Sequence, residues 1–268
     1  MILSRTLTLS TTLLNSLQLS STRNTTILFR TMTSMVEQAK DAAAERAVKE
    51  HVYDGCRLGV GSGSTVVYAV KHLSALVNKS GFKVTCVPTS FQARQLIIEN
   101  GLDLSDLSQT PELDIVIDGA DECDASLTLI KGGGGCQLQE KIVAACGKKM
   151  VVIADYRKKS KELGDQWKKG IPIEVVPMAY VPVMNKLRSF GLDPVLRMAQ
   201  SKAGPVVTDN SNFVVDAKFT GPHNWDVLET KLSRTPGIVE TGLFVGYASV
   251  AYFGMEDGSV SVLHKPAL

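Results

Sequence analysis

Short apolar segments that alternate with helical segments place the strongest constraint on the fold of this chain. The apolar segments predict strands, and the spacing of apolar residues between them predicts helices. The predicted strands are Arg57–Val60, Lys83–Val87, Asp114–Ile117 and Met150–Ala154, and the predicted helices are Ala39–His51, Thr65–Ser74, Phe91–Asn100 and Gln137–Cys146. Strands separated by helices favour an α/β fold with a doubly wound, mostly parallel, Rossmann-like sheet. Ligands of such sheets bind where the carboxyl ends of the strands meet.

The pattern changes near Gly164 and predicts a second, smaller α+β domain. The predicted elements are Ile171–Val176, Ala179–Phe190, Val195–Met198, Phe213–Ala217, Trp225–Arg234, Ile238–Phe244, Ala248–Phe253 and Gly258–Leu263. The first six follow the order β-α-β-β-α-β, which is typical of a ferredoxin-like domain. The last two are strands that we expect to return to the first sheet. Residues 35–163 and 243–268 are therefore expected to form the larger domain, and residues 164–242 the smaller one.

Residues 1–34 differ from the rest of the chain in composition. They contain fifteen Ser or Thr, three Arg and no Asp or Glu, and the first acidic residue, Glu37, begins a helical pattern. An acid-free segment rich in Ser and Arg is typical of an organelle transit peptide, but an unstructured extension without a targeting role has the same composition. Both interpretations place this leader, residues 1–34, outside the fold. If it is a transit peptide, the protein is imported into mitochondria; if it is an unstructured extension, the protein stays in the cytoplasm.

Charge and composition exclude several classes of function. The chain of 268 residues carries 29 Lys and Arg against 27 Asp and Glu, for a formal net charge of +2. Such a balanced charge does not supply the basic surface that nucleic-acid binding needs. No apolar run approaches the roughly 18–20 residues that span a bilayer. The five cysteines include no C-x-x-C pair and the four histidines are scattered, so we expect neither a disulfide framework nor a metal site.

A glycine-rich turn, Gly59–Thr65, joins the first predicted strand to its helix. Glycines let the backbone approach an anion, and a helix amino terminus supplies free N–H groups and a partial positive charge. The turn is therefore typical of a phosphate site. The dinucleotide motif G-x-G-x-x-G fails at this position and the chain has no Walker loop, which disfavours a nucleotide cofactor. A tight turn in which Ser64 or Thr65 caps the helix is the structural alternative.

Asp118 and Asp121 follow the third predicted strand on a turn that contains glycine. Their spacing directs two carboxylates at the same crevice, where paired acids can divide acid and base roles or bind substrate hydroxyls. The structural alternative is an aspartate that caps a helix, with a further acid in its first turn.

Lys131 and the four glycines after it, Gly132–Gly135, form an unusual pattern. Four consecutive glycines lose conformational entropy on ordering, which indicates that their backbone approaches a ligand closely. A flexible linker is the alternative, but a strand-like segment, Leu127–Ile130, and a helix beginning at Gln137 leave no slack for one. Glu140, in the first turn of that helix, either compensates the helix dipole or acts as a general base over a glycine-lined pocket.

The combination of these motifs resembles ribose-5-phosphate isomerase of the A type. The motifs concerned are Gly59–Thr65, Thr89-Ser90-Phe91-Gln92, Asp118-Gly119-Ala120-Asp121-Glu122, Lys131-Gly132-Gly133-Gly134-Gly135 and Glu140-Lys141-Ile142. Their order and spacing agree with the family from about Val36 to Pro266, and Leu163-Gly164-Asp165-Gln166-Trp167 is similar to the eukaryotic branch. The resemblance does not cover the leader.

The resemblance implies an aldose–ketose isomerase, without cofactor or metal, that interconverts D-ribose 5-phosphate and D-ribulose 5-phosphate through an enediolate in the non-oxidative pentose phosphate pathway. It implies that Glu140 is the base that moves a proton between C1 and C2, and that Lys131 with the glycine-loop amides stabilises the enediolate oxygen. Asp118 and Asp121 would bind hydroxyls and assist ring opening. The implied substrate-binding residues are Ser62, Gly63, Ser64, Thr65, Gly119, Ala120, Gly132, Gly133, Gly134, Lys158 and Lys40.

The resemblance also carries expectations about partners and location. A homo-oligomer, dimer or tetramer, is implied by the family, and a cytoplasmic location is favoured because the pathway is largely cytosolic. Lys40 is similar to a phosphate-binding lysine of the family, but the next residue, Asp41, stands where the family often has a second lysine. An amino-sugar phosphate deaminase-isomerase is disfavoured by the lack of its catalytic histidine. A sugar-phosphate-sensing regulator is disfavoured because the leader has neither a helix-turn-helix pattern nor enough basic charge to supply a DNA-binding domain.

Overall fold

The computed structural model of the protein describes residues 34–265. The predicted leader, residues 1–34, lies outside the described residues except for Ser34, which already belongs to the first helix. That helix spans 34–51 and so begins earlier than the predicted Ala39–His51. Between residues 34 and 265, no helix combines the length and the hydrophobicity that crossing a bilayer requires.

The elements follow the predicted alternation closely. The helices are α1 (34–51), α2 (Ser64–Ser80), α3 (Phe91–Glu99), α4 (Gln137–Cys146), α5 (Tyr180–Ser189) and α6 (Trp225–Ser233). The strands are β1 (Arg57–Val60), β2 (Thr85–Pro88), β3 (Asp103–Leu104), β4 (Ile115–Asp118), β5 (Glu122–Cys123), β6 (Leu129–Ile130), β7 (Met150–Asp155), β8 (Ile171–Val175), β9 (Asp193–Leu196), β10 (Phe213–Lys218), β11 (Ile238–Thr241), β12 (Leu243–Phe244), β13 (Ala248–Gly254) and β14 (Val260–His264). Short 3₁₀ turns occupy Tyr156–Lys158 and Pro177–Ala179.

The largest sheet has seven strands in the order β14-β13-β7-β4-β1-β2-β3. Its neighbouring strands are parallel except for the β13–β14 hairpin. Helices α1, α2 and α3 pack on one face, where Ala43, Val66 and Ile97 share a buried cluster with β1. Helix α4 packs on the other face through Val143. This arrangement confirms the predicted doubly wound α/β sheet and the return of the last two strands to it.

Gly59 sets how closely α4 approaches the sheet. A Cβ atom at this position would lie 2.7 Å from Cγ1 of Val143 on α4 and 2.9 Å from Cγ2 of Val116 on β4. Interiors are close-packed, so a side chain here would push α4 away from the sheet. Because α4 carries Glu140, the glycine in β1 contributes to the position of that carboxylate.

A four-stranded antiparallel sheet forms the second region, in the order β11-β8-β10-β9. Val183 and Leu187 of α5 and Leu228 and Leu232 of α6 pack with the strands in a separate apolar cluster. Counted from β8, the strand order is fourth, first, third, second, as a split βαβ arrangement requires. The predicted smaller α+β, ferredoxin-like region is confirmed, whereas the division of the chain at residues 163 and 242 stays a prediction.

The predicted single strand Ile238–Phe244 is wrong, because the chain changes sheets at Gly242. β11 pairs with β8, whereas β12 pairs with β6 in a small sheet of order β12-β6-β5. A Cβ atom on Gly242 would lie 2.0 Å from the carbonyl oxygen of Lys131, and the Gly242 carbonyl accepts a hydrogen bond from the Lys131 amide at 2.8 Å. The glycine therefore lets the two backbones touch.

Other differences concern element bounds and two-residue strands: α2 extends to Ser80 rather than Ser74, and β9 is Asp193–Leu196 rather than Val195–Met198. β3 and β5 were not predicted, because two residues show no periodicity. The predicted strand Leu127–Ile130 is shorter than expected, since Leu127 has a left-handed backbone (φ 62°) and only Leu129–Ile130 is extended into a strand. The small sheet nonetheless matters for the site, because Lys131 directly follows β6 and so lies at the carboxyl edge of the large sheet.

Candidate active site

A cavity of about 470 Å³ opens at the carboxyl edge of the large sheet, a size typical of small-molecule sites. The turns after β1 and β4 and the glycine run after β6 meet there. The predicted site residues that line it are Lys40, Ser62, Gly63, Ser64, Thr65, Gly119, Ala120, Asp121, Lys131, Gly132, Gly133, Gly134, Glu140 and Lys158. Asp118 is the exception, since its fully buried side chain lies beneath the cavity.

The turn between β1 and α2 presents free backbone N–H groups to the cavity. Gly63 (φ 98°) precedes the first residue of α2 and no side chain caps the helix, so the alternative in which Ser64 or Thr65 caps it is wrong. The Gly63 N–H itself is bound by the side-chain oxygen of Gln92 at 2.8 Å. The uncapped amino terminus of a 17-residue helix is a site for an anion.

Asp118 holds the base of this turn. Its Oδ1 accepts hydrogen bonds from the amides of Ser62 at 3.0 Å and Gly119 at 2.7 Å. A Cβ atom on Gly61 would lie 2.0 Å from the same oxygen, so only glycine fits there. The turns after β1 and β4 are thereby joined, and the helix-capping role considered for this aspartate is not observed.

Lys131 lies at the centre of the site with only 2% of its side chain exposed. Its ammonium donates hydrogen bonds to the carbonyl of Gly119 at 2.6 Å and to Oε1 of Glu140 at 3.1 Å. Oδ2 of Asp118 lies 3.0 Å from the same nitrogen. Burial lowers the pKa of Lys131, but the carboxylates of Asp118 and Glu140 outweigh it and raise the pKa above its ordinary value. The two carboxylates therefore favour the charged form of the lysine.

Glu140 is buried, and its environment changes its acidity. Burial raises its pKa to about 8, the negative charge of Asp118 adds to the rise, and Lys131 opposes it. Oε1 contacts Lys131, whereas Oε2 is buried without a hydrogen-bond partner among the described residues. A carboxylate with a pKa near neutrality and one unoccupied oxygen on a cavity wall has the properties of a general base.

Asp121 is joined to the glycine run. Its Oδ2 accepts a hydrogen bond from the Gly133 amide at 2.6 Å, and a Cβ atom on Gly133 would lie 2.5 Å from Oδ1. Burial raises the pKa of Asp121, while the Gly133 amide and nearby cations lower it. Gly132 (φ 95°) accepts a hydrogen bond from the Gly135 amide at 2.9 Å, which closes a turn. The glycines therefore form an ordered loop rather than the flexible linker considered as an alternative.

Two further predicted lysines contribute positive charge to the cavity. Lys40 donates a hydrogen bond from Nζ to Oε1 of Glu37 at 2.8 Å, and the Tyr68 hydroxyl donates to the other oxygen of Glu37 at 2.7 Å. Nζ of Lys158 lies 5.7 Å from the ring centre of Trp167, within cation–π range. Both lysines lie on the cavity wall together with the helix terminus at Ser64.

Several residues of the cavity wall were not predicted. Asp155 ends β7, Arg157 lies in the 3₁₀ turn after it, and Asp209 comes from the loop after β9. Oδ2 of Asp209 accepts a hydrogen bond from the Phe91 amide at 2.8 Å across a separation of 118 residues. The turn signal around Asp209 is visible in the sequence, but nothing local to it indicates contact with α3.

Potential metal ligands do not converge in the described part of the chain. Among residues 34–265, no group of three or more His, Cys, Asp or Glu side chains is placed to hold a metal ion. The five cysteines are free thiols, and burial raises the pKa of Cys56 to about 11.

Comparison with known proteins gives consistent matches over most of the chain. A family model described as ribose 5-phosphate isomerase A (phosphoriboisomerase A) matches residues 85–258. A ribose-5-phosphate isomerase of Dictyostelium discoideum is 60% identical over 230 residues, which cover 85% of this chain and 98% of that protein.

Solved structures agree in fold. Ribose 5-phosphate isomerase A of Methanocaldococcus jannaschii has 38% sequence identity and a TM-score of 0.79, covering 84% of this chain and 98% of that one. A D-ribose-5-phosphate isomerase in complex with phospho-erythronic acid has 36% identity and a TM-score of 0.82, covering 85% and 99% of the two chains.

Proposed function

The chain belongs to the ribose 5-phosphate isomerase A family, and from this premise we propose that the cavity at the carboxyl edge of its large sheet is the active site. The protein is an aldose–ketose isomerase that interconverts D-ribose 5-phosphate and D-ribulose 5-phosphate in the pentose phosphate pathway. The proposal concerns which residues perform this reaction. It rests above all on one observation, the contact of buried Glu140 with buried Lys131 beside the glycine loop.

Glu140 transfers the proton. With the sugar in its open form, the carboxylate takes the proton from C2, the electron pair forms the C1=C2 bond, and the aldehyde π electrons move to O1. A proton then passes from O2 to O1, which leaves the negative charge of the enediolate on O2. The enediolate collapses as the C2=O bond forms and the C1=C2 electron pair takes the proton from the Glu140 carboxyl at C1, which leaves a hydroxyl on C1 and restores the carboxylate. The raised pKa of Glu140 suits both steps, because a group with a pKa near the working pH can accept and return the same proton.

Lys131 stabilises the negative charge that develops on oxygen in the enediolate. Its ammonium is buried at the centre of the site and is held by Gly119, Asp118 and Glu140. A fixed cation in a site with little water stabilises a developing oxyanion more strongly than the same cation in solvent. Amides of the glycine loop complete the set of donors.

Asp121 binds substrate hydroxyls and assists ring opening, whereas Asp118 supports the reaction without contacting substrate. Asp121 lies on the cavity wall and has a raised pKa, so it can carry a proton between ring oxygen and hydroxyl. Asp118 acts from beneath the wall, where it fixes the turn at Ser62 and faces Lys131. Its role is therefore chiefly electrostatic.

The turn Ser62–Thr65 binds the phosphate of the substrate through the amides of Ser64 and Thr65, since the Ser62 and Gly63 amides already donate to Asp118 and Gln92. The Ser64 and Thr65 amides lie at the uncapped start of α2, where the helix dipole favours an anion. Lys40 and Lys158 lie on the same cavity wall and add charge that matches a phosphate dianion.

A direct assay tests this function. Purified protein is mixed with ribose 5-phosphate in the presence of a chelator, and ketose formation is followed by absorbance. We expect turnover that the chelator does not change, and no turnover of an aldose of the same length that lacks the phosphate. Ammonia release from an amino-sugar phosphate, with no reaction of ribose 5-phosphate, would contradict the proposal.

We also propose that the protein is a cytoplasmic homo-oligomer, a dimer or a tetramer. Apolar side chains exposed near the start of α5 support an interface, with Met178 exposed by 89% and Val181 by 48%. Light scattering after gel filtration measures the mass, and a monomer would contradict the proposal.

A reporter fused to residues 1–34 tests location: we expect diffuse cytosolic fluorescence, and mitochondrial fluorescence would support the transit-peptide alternative.

A further inference from the structure

Arg197, just after β9 in the second region, binds the glycine loop but is not among the residues that line the cavity. Its Nη1 donates hydrogen bonds to the carbonyl oxygens of Gly132 at 2.9 Å and Gly133 at 3.1 Å. The rest of the guanidinium is bound by both carboxylate oxygens of Asp216 on β10, through Nε at 2.8 Å and through Nη2. Arg197 and Asp216 are each only 16% exposed. Arg197 therefore contacts backbone and does not line the cavity.

These contacts determine where the loop amides point. In a planar trans peptide, the C=O and the N–H point in opposite directions. The carbonyl of Gly132 points to Arg197, and the N–H of the same peptide unit, on Gly133, points to Asp121. The carbonyl of Gly133 also points to Arg197, so the N–H of Gly134 points away from Arg197. Gly134 lies on the cavity wall, and no group among residues 34–265 accepts a hydrogen bond from its amide.

Consecutive glycines need such an anchor. Without Cβ atoms, their peptide planes rotate with little steric resistance, and an unanchored loop would sample several orientations. Asp121 fixes only one of the two planes. A bidentate arginine is suited to fixing the second plane, because its planar fork keeps a fixed orientation while it bridges two carbonyls and a carboxylate.

We propose that Arg197, oriented by Asp216, is a positioning residue for isomerisation that aims the Gly134 amide at the enediolate oxygen. It acts through the glycine loop and does not contact substrate. The second region of the molecule thus contributes to catalysis, although the acid, base and cation all come from the large sheet and its connections. This inference rests on the proposed function, because it assumes that an enediolate forms beside Gly134.

Steady-state kinetics of Arg197→Met and Arg197→Lys with ribose 5-phosphate test the inference. We expect kcat of Arg197→Met to fall about 10- to 100-fold, the scale of a misplaced catalytic group, with KM changed by less than about threefold. Arg197→Lys should lie between this variant and the wild type, because an ammonium keeps the charge but not the fork. Inhibition by phospho-erythronic acid, whose planar carboxylate resembles the enediolate, should weaken in parallel with kcat.

Arg57→Met is the matched control. Arg57 forms the same kind of bidentate pair with Asp114, at 3.0 and 2.8 Å, but at the start of β1, away from the carboxyl edge. We expect its kcat to stay within about twofold of wild type, since no group near the reaction moves. If Arg197→Met does not fold, as judged by circular dichroism, Asp216→Asn replaces it, and we expect a smaller loss of kcat at unchanged KM.

Two different outcomes distinguish a failure of this inference from a failure of the proposed function. A folded Arg197→Met variant with kcat within about twofold of wild type, or with a raised KM and unchanged kcat, overturns the positioning role. Wild-type protein that does not isomerise ribose 5-phosphate overturns the proposed function instead.

Discussion

Helix α4 carries two adjacent charged residues that enter two clusters of the same composition, each with one buried lysine and two carboxylates. In the first, Lys131 lies 3.0 Å from Asp118 and 3.1 Å from Glu140. In the second, Lys141 lies 2.8 Å from both Glu229 and Glu240. The two ammonium groups even share an aromatic neighbour, since they lie 5.7 and 5.0 Å from the ring centre of Phe244.

The clusters differ in their access to water and in how completely their oxygens are bonded. The side chains of Glu229 and Glu240 are 21% and 25% exposed, and the Thr241 hydroxyl donates to Glu229 at 2.6 Å. Those of Asp118 and Glu140 are 0% and 6% exposed, and Oε2 of Glu140 is buried with neither a hydrogen bond nor an ion pair among the described residues. The same kinds of charged group therefore have different effects. In the Lys141 cluster they link α4 to the second region, whereas in the Lys131 cluster they leave Glu140 reactive.

The substitution Glu140→Gln should have the largest effect. The amide keeps the size of the side chain but cannot accept the C2 proton, so kcat should fall by about 10²–10⁴-fold with substrate binding nearly unchanged. Stopped assays and isothermal titration measure the two quantities. Retention of more than about a tenth of kcat would remove Glu140 from the role of base.

Lys131→Met should reduce kcat by about 10²–10³-fold, as expected for loss of a main oxyanion donor. The fall in kcat should exceed the loss of substrate affinity, because the charge acts mainly on the enediolate. Binding lost at unchanged kcat would instead identify Lys131 as a ligand of the phosphate.

The pH dependence should reveal which cluster carries the perturbed carboxylate. Because Glu140 is active as the anion and its pKa is raised to about 8, kcat/KM should rise about tenfold per pH unit and level off above that value. Asp118→Asn should move the midpoint downward, since the negative charge of Asp118 contributes to the rise. A midpoint near the ordinary glutamate value of 4.5 would contradict the assignment.

The same shift predicts a stability effect. Between pH 4.5 and about 8, folded protein holds a proton on Glu140 that the unfolded chain lacks. The stabilisation is complete below pH 4.5 and is lost as the pH rises through about 8. Chemical denaturation at several pH values measures the free energy of unfolding. For Glu140→Gln, this free energy should lack the decrease with pH that Glu140 causes between pH 4.5 and about 8.

Lys141→Met, the counterpart of Lys131→Met, should have the smallest effect on activity. It removes no group that contacts substrate, so kcat should stay within about threefold of wild type. It leaves two partly exposed carboxylates facing each other, so we expect a loss of about 1–3 kcal/mol of unfolding free energy, equivalent to roughly 2–10 °C in Tm. A kcat as low as that of Lys131→Met would show that the second cluster also controls catalysis.

Much of the site could be predicted because its chemistry is concentrated in short motifs. Gly61, Gly132 and Gly133 occupy positions where a Cβ atom would collide or the backbone is left-handed, and such requirements leave a mark on the local sequence. Glu140 and Lys131 stand beside these glycines. The contact between these two side chains, and the burial that raises the pKa of Glu140, could not be predicted from the sequence because both depend on tertiary packing.

The amino-acid sequence by itself determined the alternation of strands and helices, the glycine and aspartate turns and the carboxyl-edge location of the site, because these follow from local periodicity and backbone sterics. Tertiary structure alone decided the contact of Arg197 with the glycine loop 65 residues away, that of Asp209 with Phe91, and the passage of Gly242 beside Lys131. It also decided which cluster on α4 became reactive. Each of these depends on burial and on neighbours distant in the chain, which no local pattern encodes.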